Sequence, residues 1–429
     1  MARVEDRRVI LIRADSPARK GALTPEDGDT ITRALEMALD KRLPVILMLA
    51  SSGADANHGV AALDGWGRAA RVLARCSGVV PVIAGVTGPA VSGTALLIGM
   101  ADVVVMASDA YAFVSGPIPV REMTGVTVGL EELGGARIHE RSTGAAHLVV
   151  EADEVLPTIA EILGYLPDHN GELPPHRPTA DPGDRSTPEA GDLLPDVPTG
   201  SYDVRDVIRC LVDDEEFLEL RAGWAPNMVT GFGALGGRPV GVVANQPLAI
   251  AGTLDIPASQ KGGRFVALCD AFNVPIVTLV DTPGFYPGKD LEWRGMIRHG
   301  AQLAFAYARA TVPRVAVVLR KSYGGAFIVM DSKTMGNDAY LAWPSAEIAV
   351  MGAQQAAQIL RRGATDTEIA AYVTDYEATY LNPYVGAERG FVDAVVEPSD
   401  TRRQLVDLVG LLASKRELLP DRRHDNSPL

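Results

Sequence analysis

The chain has 429 residues, too many for one hydrophobic core and enough for two domains or more. Hydrophobic residues make up 47% and charged residues 22%, and 40 basic against 54 acidic residues leave a net charge of −14, which argues against a nucleic-acid partner. Cys76, Cys210 and Cys269 are scattered with no CxxC pair, which excludes a zinc ribbon, gives no disulfide framework and points to a reducing cytoplasm.

The N-terminus, MARVEDRRVILIRAD, lacks the long apolar core of a signal peptide. VILIRAD (9–15) reads as a strand, TITRALEMALDKRL (30–43) as an amphipathic helix and PVILMLASSG (44–53) as a strand ending in a turn. DGWGRAARVLARC (64–76) reads as a second helix. Strand VPVIAGVTG (80–88), helix SGTALLIGMA (92–101) and strand DVVVMAS (102–108) follow. Strands separated by single helices imply parallel βαβ geometry, hence an α/β fold. Residues 77–101 carry no charge, long enough to span a bilayer, but Pro81, Pro89 and five glycines break the run. A buried segment is the reading, and no membrane partner is expected.

Residues 167–200 are rich in Pro, Gly, Asp and Thr and read as a linker or extended crossover rather than core. Beyond them the chain repeats itself. PVILMLASSG starts at Pro44 and PIVTLVDTPG at Pro275, an offset of 231, and each reaches a glycine nine residues on, at Gly53 and Gly284. VPVIAGVTGPAVSGTA carries Pro81 and VPRVAVVLRKSYGGAF carries Pro313, an offset of 232, and each reaches a glycine twelve residues on, at Gly93 and Gly325. The expected organisation is two copies of one α/β domain, residues 1–166 and 201–429, joined by the 167–200 segment.

Three motif matches fail on context. Gly231-Phe-Gly233-Ala-Leu-Gly236 satisfies GxGxxG but precedes the strand PVGVVAN, so a hairpin turn is the better reading. Asp281-Thr-Pro-Gly284 matches DxxG, yet the chain has no GxxxxGK[ST] to cradle a phosphate. The glycines of GGRF (262–265) read as helix–strand spacers. None of the seven histidines has metal-ligand spacing, and no bound metal is expected.

The two loop–helix starts remain. Residues 320–330, RKSYGGAFIVM, set two glycines before a helical pattern with no Ser, Cys or His nucleophile beside them. A helix start presents unpaired N–H donors, and small residues there let a negatively charged oxygen approach. One such donor aimed at a developing oxyanion is worth roughly 3 kcal/mol. Two copies suggest two enolate-like species; close packing of loop on strand is the plainer explanation for either loop alone.

The chain resembles the carboxyltransferase (β) subunits of biotin-dependent acyl-CoA carboxylases, of the propionyl-CoA carboxylase type. The likeness is densest in VGVVANQPLAIAGTLDIPASQKGGRFVALCDAFNVPIVTLVDTPGF, in RKSYGGAF, AWPSAEIAVMGA and LNPYVGAERGFVDAVVEPSDTRR, and in the tail RRHDNSPL. GLEELGGARIHERSTGAAHLV and EILGYLPDHN carry it in the first half. The resemblance implies two crotonase-like (ClpP/crotonase) ββα-spiral domains, the N-terminal one binding CoA and the C-terminal one biotin, in a trimer of dimers whose sites form between neighbouring subunits. It implies that carboxybiotin on a separate carrier loses CO2, that the biotin enolate takes the α-proton of the acyl-CoA, and that the thioester enolate attacks CO2. Carried over by position, Gly325 and Ala326 are the donors to the biotin ureido oxygen and Ser92 and Gly93 to the thioester oxygen. Gly324, Phe327 and Ile328 lie beside the acyl group, Tyr323 beside the biotin, and Gly53 on the acyl-CoA side.

Departures from the family lie in the first half. The usual SGGAR turn reads SSGAD (51–55), which puts Asp55 in place of an arginine near an anionic ligand, and the usual AGGA reads VSGT (91–94), which puts Ser92 in place of a glycine. A stretch the family carries ahead of Arg8 is absent from this sequence, so a small partner chain supplying it is expected. Neither a biotinyl AMKM site nor a P-loop is present, so a biotin carboxylase and a biotin carboxyl carrier are expected as separate chains, in a homo- or hetero-oligomer. Two other readings stay open: a non-catalytic subunit that docks the biotin carrier, and a thioester hydrolase or decarboxylase using Ser92 with His58, His139 or His147 as base.

Overall fold

The computed structural model describes all residues except 15–17, 198, 416, 422, 425 and 429. Asp15, the end of the first predicted strand, and three positions of the RRHDNSPL tail therefore lie outside the described residues. Two compact units emerge: Met1–Pro175 with Leu220–Trp224 and Ala271–Asn273, and His176–Glu219 with Ala225–Asp270 and Val274–Leu429.

In the N-terminal unit the elements run β1 (Ala2–Val4), β2 (Arg7–Ala14), α1 (Pro25–Lys41), β3 (Val45–Ser51), α2 (Val60–Cys76), β4 (Val82–Val91), α3 (Gly93–Gly99), β5 (Val103–Ala107), β6 (Tyr111–Phe113), β7 (Leu148–Val150) and α4 (Val155–Leu163). The sheet order is β1-β2-β3-β4-β5-β7, with β6 added beside β4. Helix α1 starts five residues before the 30–43 expectation. Thr24 caps the Asp27 N–H while the Asp27 carboxylate caps the Thr24 N–H, and Pro25 fills the first turn, where no N–H is needed.

The C-terminal unit repeats this plan with β8 (Leu218–Leu220), β9 (Met228–Leu235), β10 (Arg238–Asn245), α5 (Ile256–Ala271), β11 (Ile276–Thr282), α6 (Met296–Arg309), β12 (Arg314–Tyr323), α7 (Gly324–Val329), β13 (Ala339–Ala342), β14 (Glu347–Ala349), α8 (Ala353–Leu360), α9 (Asp366–Tyr380), β15 (Ala394–Val395) and α10 (Thr401–Leu412). Its order is β15-β13-β12-β11-β10-β9-β8, with β14 beside β12. Strands β10, β11, β12 and β13 pair in parallel, as do β2, β3, β4 and β5. The duplication reaches irregular detail. The β3/β4 register shifts between Leu49 and Ser51, and the β11/β12 register between Val280 and Thr282, 231 residues later. Isolated bridges join Leu23 to Ala54 and Leu254 to Phe285 at the same spacing.

The GxGxxG match is a hairpin, as expected. Gly236 and Gly237 form its two-residue turn with φ of 57° and 75°, between Leu235 and Arg238. The GGRF glycines, expected between helix and strand, sit inside α5 instead and admit a neighbouring helix: a β-carbon on Gly262 would lie 3.1 Å from Leu303 of α6. The 167–200 segment also contributes to a core, since Thr187 and Ala190 are fully buried and Ala190 packs with Val204, Val207 and Leu405. No helix among the described residues is long and apolar enough to cross a membrane.

Candidate functional site

Each unit ends one strand in a loop that turns into a short helix. Counting from the matched strands, Ser92 pairs with Gly324, Gly93 with Gly325 and Thr94 with Ala326, all at an offset of 232. Ser92 and Gly324 share a φ of 58°, the left-handed region where a β-carbon is strained. A β-carbon on Gly324 would also meet the Val350 carbonyl oxygen at 3.2 Å.

In the C-terminal unit, Gly325 is exposed and Ala326 is fully buried. Among the described residues no oxygen accepts a hydrogen bond from either N–H, as befits the first turn of a helix. The backbone at Gly325 is not left-handed, and a β-carbon there would touch only the Phe285 ring, at an ordinary 3.5 Å. Internal packing therefore does not explain this glycine. Gly324, Gly325, Phe327 and Ile328 line an open cavity of about 720 Å³, with Phe327 edge-on to the Tyr340 ring. Tyr323 is not among the lining residues; its hydroxyl donates to the Glu347 carboxylate, and burial first, then that carboxylate, pushes the phenol well above its usual range.

The strand end that carries this loop is held by a buried polar cluster. Where the β11/β12 register shifts, Asp281 has no ladder partner on β12, and its carboxylate accepts from the Lys321 N–H at 3.1 Å, Arg320 Nε at 3.1 Å and the Tyr202 hydroxyl at 2.9 Å. Burial pushes the Asp281 carboxyl upward while Arg320 opposes it. Ala50 stands at the matching place in the first unit, so only one loop is clamped this way. DTPG marks the position in the sequence, but its partners come from two separate segments, at Tyr202 and at Arg320–Lys321, that no spacing connects.

The first unit answers differently. Ser92, expected as a donor, uses its N–H for the Phe113 carbonyl at 2.9 Å, because β6 extends the ladder beside β4. Among the described residues the next two amides, of Gly93 and Thr94, have no acceptor, as in the first turn of any helix. Gly93 is a packing glycine, since a β-carbon there would lie 2.7 Å from the Trp66 ring. Gly53, with φ 100°, crosses closely under the same loop, 3.0 Å from the Val91 carbonyl oxygen by its own missing β-carbon. Asp55 is 3% exposed and turned inward, capping the Asn57 N–H at 3.0 Å, with His58 at 3.8 Å.

No hydrogen bond joins Ser92 to any of the three candidate bases among the described residues. His139 bonds Thr143 Oγ1 and the Ala112 carbonyl, and His147 Nδ1 accepts the Val104 N–H. Nor do three His, Cys, Asp or Glu side chains gather as a metal would require, among the described residues.

A family profile described as the carboxyl transferase domain matches residues 3–427. The chain belongs to that family. It is 44% identical over 446 residues to the propionyl-CoA carboxylase beta chain of Saccharopolyspora erythraea, spanning 99% of this chain and 82% of that protein. It is 41% identical to the biotin-dependent acetyl-/propionyl-coenzyme A carboxylase beta5 subunit of Mycobacterium leprae, spanning 99% of this chain and 81% of that one. The solved transcarboxylase 12S structure, described as a hexamer assembly and holding hydrolysed methylmalonyl-coenzyme A, superposes with a TM-score of 0.93 at 40% identity over 95% of this chain and 80% of that one. The two units are accordingly crotonase-like, and the chain is a carboxyltransferase of the biotin-dependent acyl-CoA carboxylase family.

Proposed function

We propose that this carboxyltransferase moves a carboxyl group from carboxybiotin, presented by a separate carrier chain, to the α-carbon of an acyl-CoA of the acetyl or propionyl class. The observation that carries the site assignment is the pair of unclaimed amides at Gly325 and Ala326, on the rim of a strained-glycine loop that opens into a cavity of about 720 Å³. A biotin ureido oxygen fits there, since a β-carbon at Gly324 would be strained and one at Gly325 would stand in the ligand's path. Carboxybiotin supplies the carboxyl group and, once that group has left as CO2, the base for the α-proton.

What this chain adds is geometry and charge stabilisation. Gly325 and Ala326 hold the ureido oxygen as it gains negative charge, and Gly93 and Thr94 do the same for the thioester oxygen while the α-carbon is deprotonated. The α-carbon then forms its bond to CO2, so one carboxyl group and one proton change places. Aligned amides need no reorganisation as charge develops, and no side-chain base is required because the α-proton would go to the decarboxylated biotin. The inward-facing Asp55 supports a working acyl-CoA half, because its carboxylate is used internally and not turned toward a ligand. The missing base beside Ser92 weighs against hydrolysis.

The biotin carboxylase and the carrier are the partners inferred, and copies of this chain assemble so that the cradle of one subunit works with that of a neighbour. Three free cysteines, two of them buried, fit a cytoplasmic setting. A small chain supplying residues ahead of Arg8 finds no support in the fold or in the relatives. The test is carboxyl transfer from methylmalonyl-CoA to free biotin, followed as propionyl-CoA formed. Wild type should turn over, and Gly325→Ala should lose at least about tenfold in kcat with an unchanged melting temperature. Full activity in Gly325→Ala would remove the ureido cradle from the mechanism.

A further inference from the structure

The far end of α7 is held by one acid. Met330 closes the helix, its N–H donating to the Ala326 carbonyl at 3.0 Å, and Asp331 follows with a left-handed φ of 59°. Asp331 is fully buried. Its carboxylate accepts from Arg314 Nη1 at 2.5 Å, from Asn337 Nδ2 at 2.8 Å and from Thr278 Oγ1 at 3.5 Å. Arg314, at the start of β12, is buried as well and donates through Nη2 to the Met335 carbonyl at 3.0 Å. One carboxylate thus ties the end of a helix to the two central strands β11 and β12 and to the loop ahead of β13.

The first unit builds the same plan without this tie. At the offsets of the repeat, Gly99 stands for Asp331, Val82 for Arg314 and Leu47 for Thr278, and Val82 and Leu47 are buried apolar strand residues. The polar version is also the costlier one. A left-handed backbone is strained for any residue with a β-carbon. A buried ion pair stabilises no better than well-packed apolar side chains of similar volume. Arg314 Nε and Asn337 Oδ1 are buried with no hydrogen-bond partner among the described residues, so each stays desolvated without compensation. Local costs of this kind collect where a chain must hold a functional geometry.

We propose that Asp331 is a positioning residue for carboxyl transfer: anchored to β11 and β12, it fixes the end of α7 and with it the direction of the Gly325 and Ala326 N–H groups. This rests on reading those two amides as the ureido cradle. Helix α7 has six residues, about 9 Å of length, so a tilt at its far end is felt at the amides. A displacement of about 1 Å at a reacting group can cost about 100-fold in rate. The anchoring form is the ionised one, since only a carboxylate pairs with the Arg314 guanidinium. The other groups facing it cannot take its place. Asp338 is engaged by the Arg314 N–H and by Lys415 Nζ, each at 2.9 Å, and burial keeps Tyr307 of α6 and Tyr340 of β13 protonated. Burial, opposed by Arg314, pushes the Asp331 carboxyl up to about 6, so the anchor is released as pH falls through that value.

The experiment uses Asp331→Asn and Asp331→Gly, both side chains that a left-handed backbone accepts. Transfer from methylmalonyl-CoA to free biotin is followed as propionyl-CoA formed, with circular dichroism confirming the fold at each pH. At neutral pH both variants should lose at least about fivefold in kcat, with the KM for biotin within about threefold of wild type. From about pH 7.5 to about pH 5 the wild-type kcat should fall at least about fivefold, and that of each variant less than about twofold. The shape of a pH profile does not depend on how much of a preparation is folded, so lost stability alone cannot produce this difference. A smaller loss in kcat, a loss confined to KM, or profiles that fall in parallel overturns the anchor and leaves the carboxyltransferase reading standing. Failure of both variants to fold also overturns it, because Asp331 would then serve the fold. A wild type that turns over no thioester overturns both.

Discussion

A β-carbon on Gly93 would press 2.7 Å from the Trp66 ring, whereas one on Gly325 would meet Phe285 at 3.5 Å, although the two glycines hold matching places. The first is kept by packing and the second by whatever approaches it. Gly93→Ala should therefore cost about 2 kcal/mol through overpacking, read by urea unfolding, while Gly325→Ala costs almost nothing. Ser92 sits between these cases. Its φ of 58° carries a strain of about 1–3 kcal/mol, and no hydrogen bond of its hydroxyl is found among the described residues to repay it. Ser92→Gly should be more stable by about 1 kcal/mol after the added chain entropy, with transfer activity at least that of wild type. Lost activity would give the hydroxyl a part in the chemistry. The glycine pair of the second half was readable from RKSYGGAF. That the Ser92 N–H is engaged was not, because its acceptor, Phe113, is brought alongside only when β6 joins the sheet. The inward turn of Asp55 was hidden for the same reason: a charge on a loop looks solvent-facing until its cap partner is known.

Among the elements, two buried acids hold the strands that carry the second loop. Asp281→Asn would leave Arg320 as an unpaired buried cation and should cost about 3 kcal/mol, measured by urea unfolding at neutral pH. A loss below about 1 kcal/mol would show that the register shift holds without it. Asp331, just beyond α7, meets Arg314 Nη1 at 2.5 Å, Asn337 Nδ2 at 2.8 Å and Thr278 Oγ1 at 3.5 Å, with Asp338 and Tyr307 nearby. Burial, partly offset by Arg314, pushes its carboxyl up to about 6. Such a group binds its proton more tightly when folded, so its contribution is fully present below about pH 4 and is lost as pH rises to about 6. Relative to Asp331→Asn, wild type should lose about 3 kcal/mol of unfolding free energy across that window; parallel pH profiles would contradict it. The repeat itself was legible at Pro44/Pro275 and Pro81/Pro313 because turn residues and buried parallel strands leave strong local signals. The matched register shifts were not, since they depend on which strands pair rather than on what each strand contains. Helix α1 began early because a Thr24–Asp27 capping box outweighs weak periodicity in its first turn.

At the scale of the whole molecule, charge and apolar surface pull in opposite directions. A net charge of −14 makes copies repel one another at long range. Yet large apolar side chains stay exposed in both units: Leu96 on α3, Met100 just past its end and Ile118 beyond, and Ile328, Val350 and Tyr384 in the second. Surfaces of this kind mark contacts with other chains. If copies of this chain supply the cover, as the proposed function requires, the contact is apolar and the opposing field is electrostatic. Salt screens the field without weakening the contact, so association should strengthen from low salt to about 0.5 M, the reverse of an interface held by ion pairs. Light scattering should then give a mass several times 45.4 kDa at micromolar concentration, rising or constant with salt. Ile118→Asp, which sets one more negative charge on a residue 62% exposed, should lower that mass and take transfer activity with it. A species of 45.4 kDa at every salt concentration that still transfers carboxyl groups would mean that one chain suffices, and that the cradles need no neighbour.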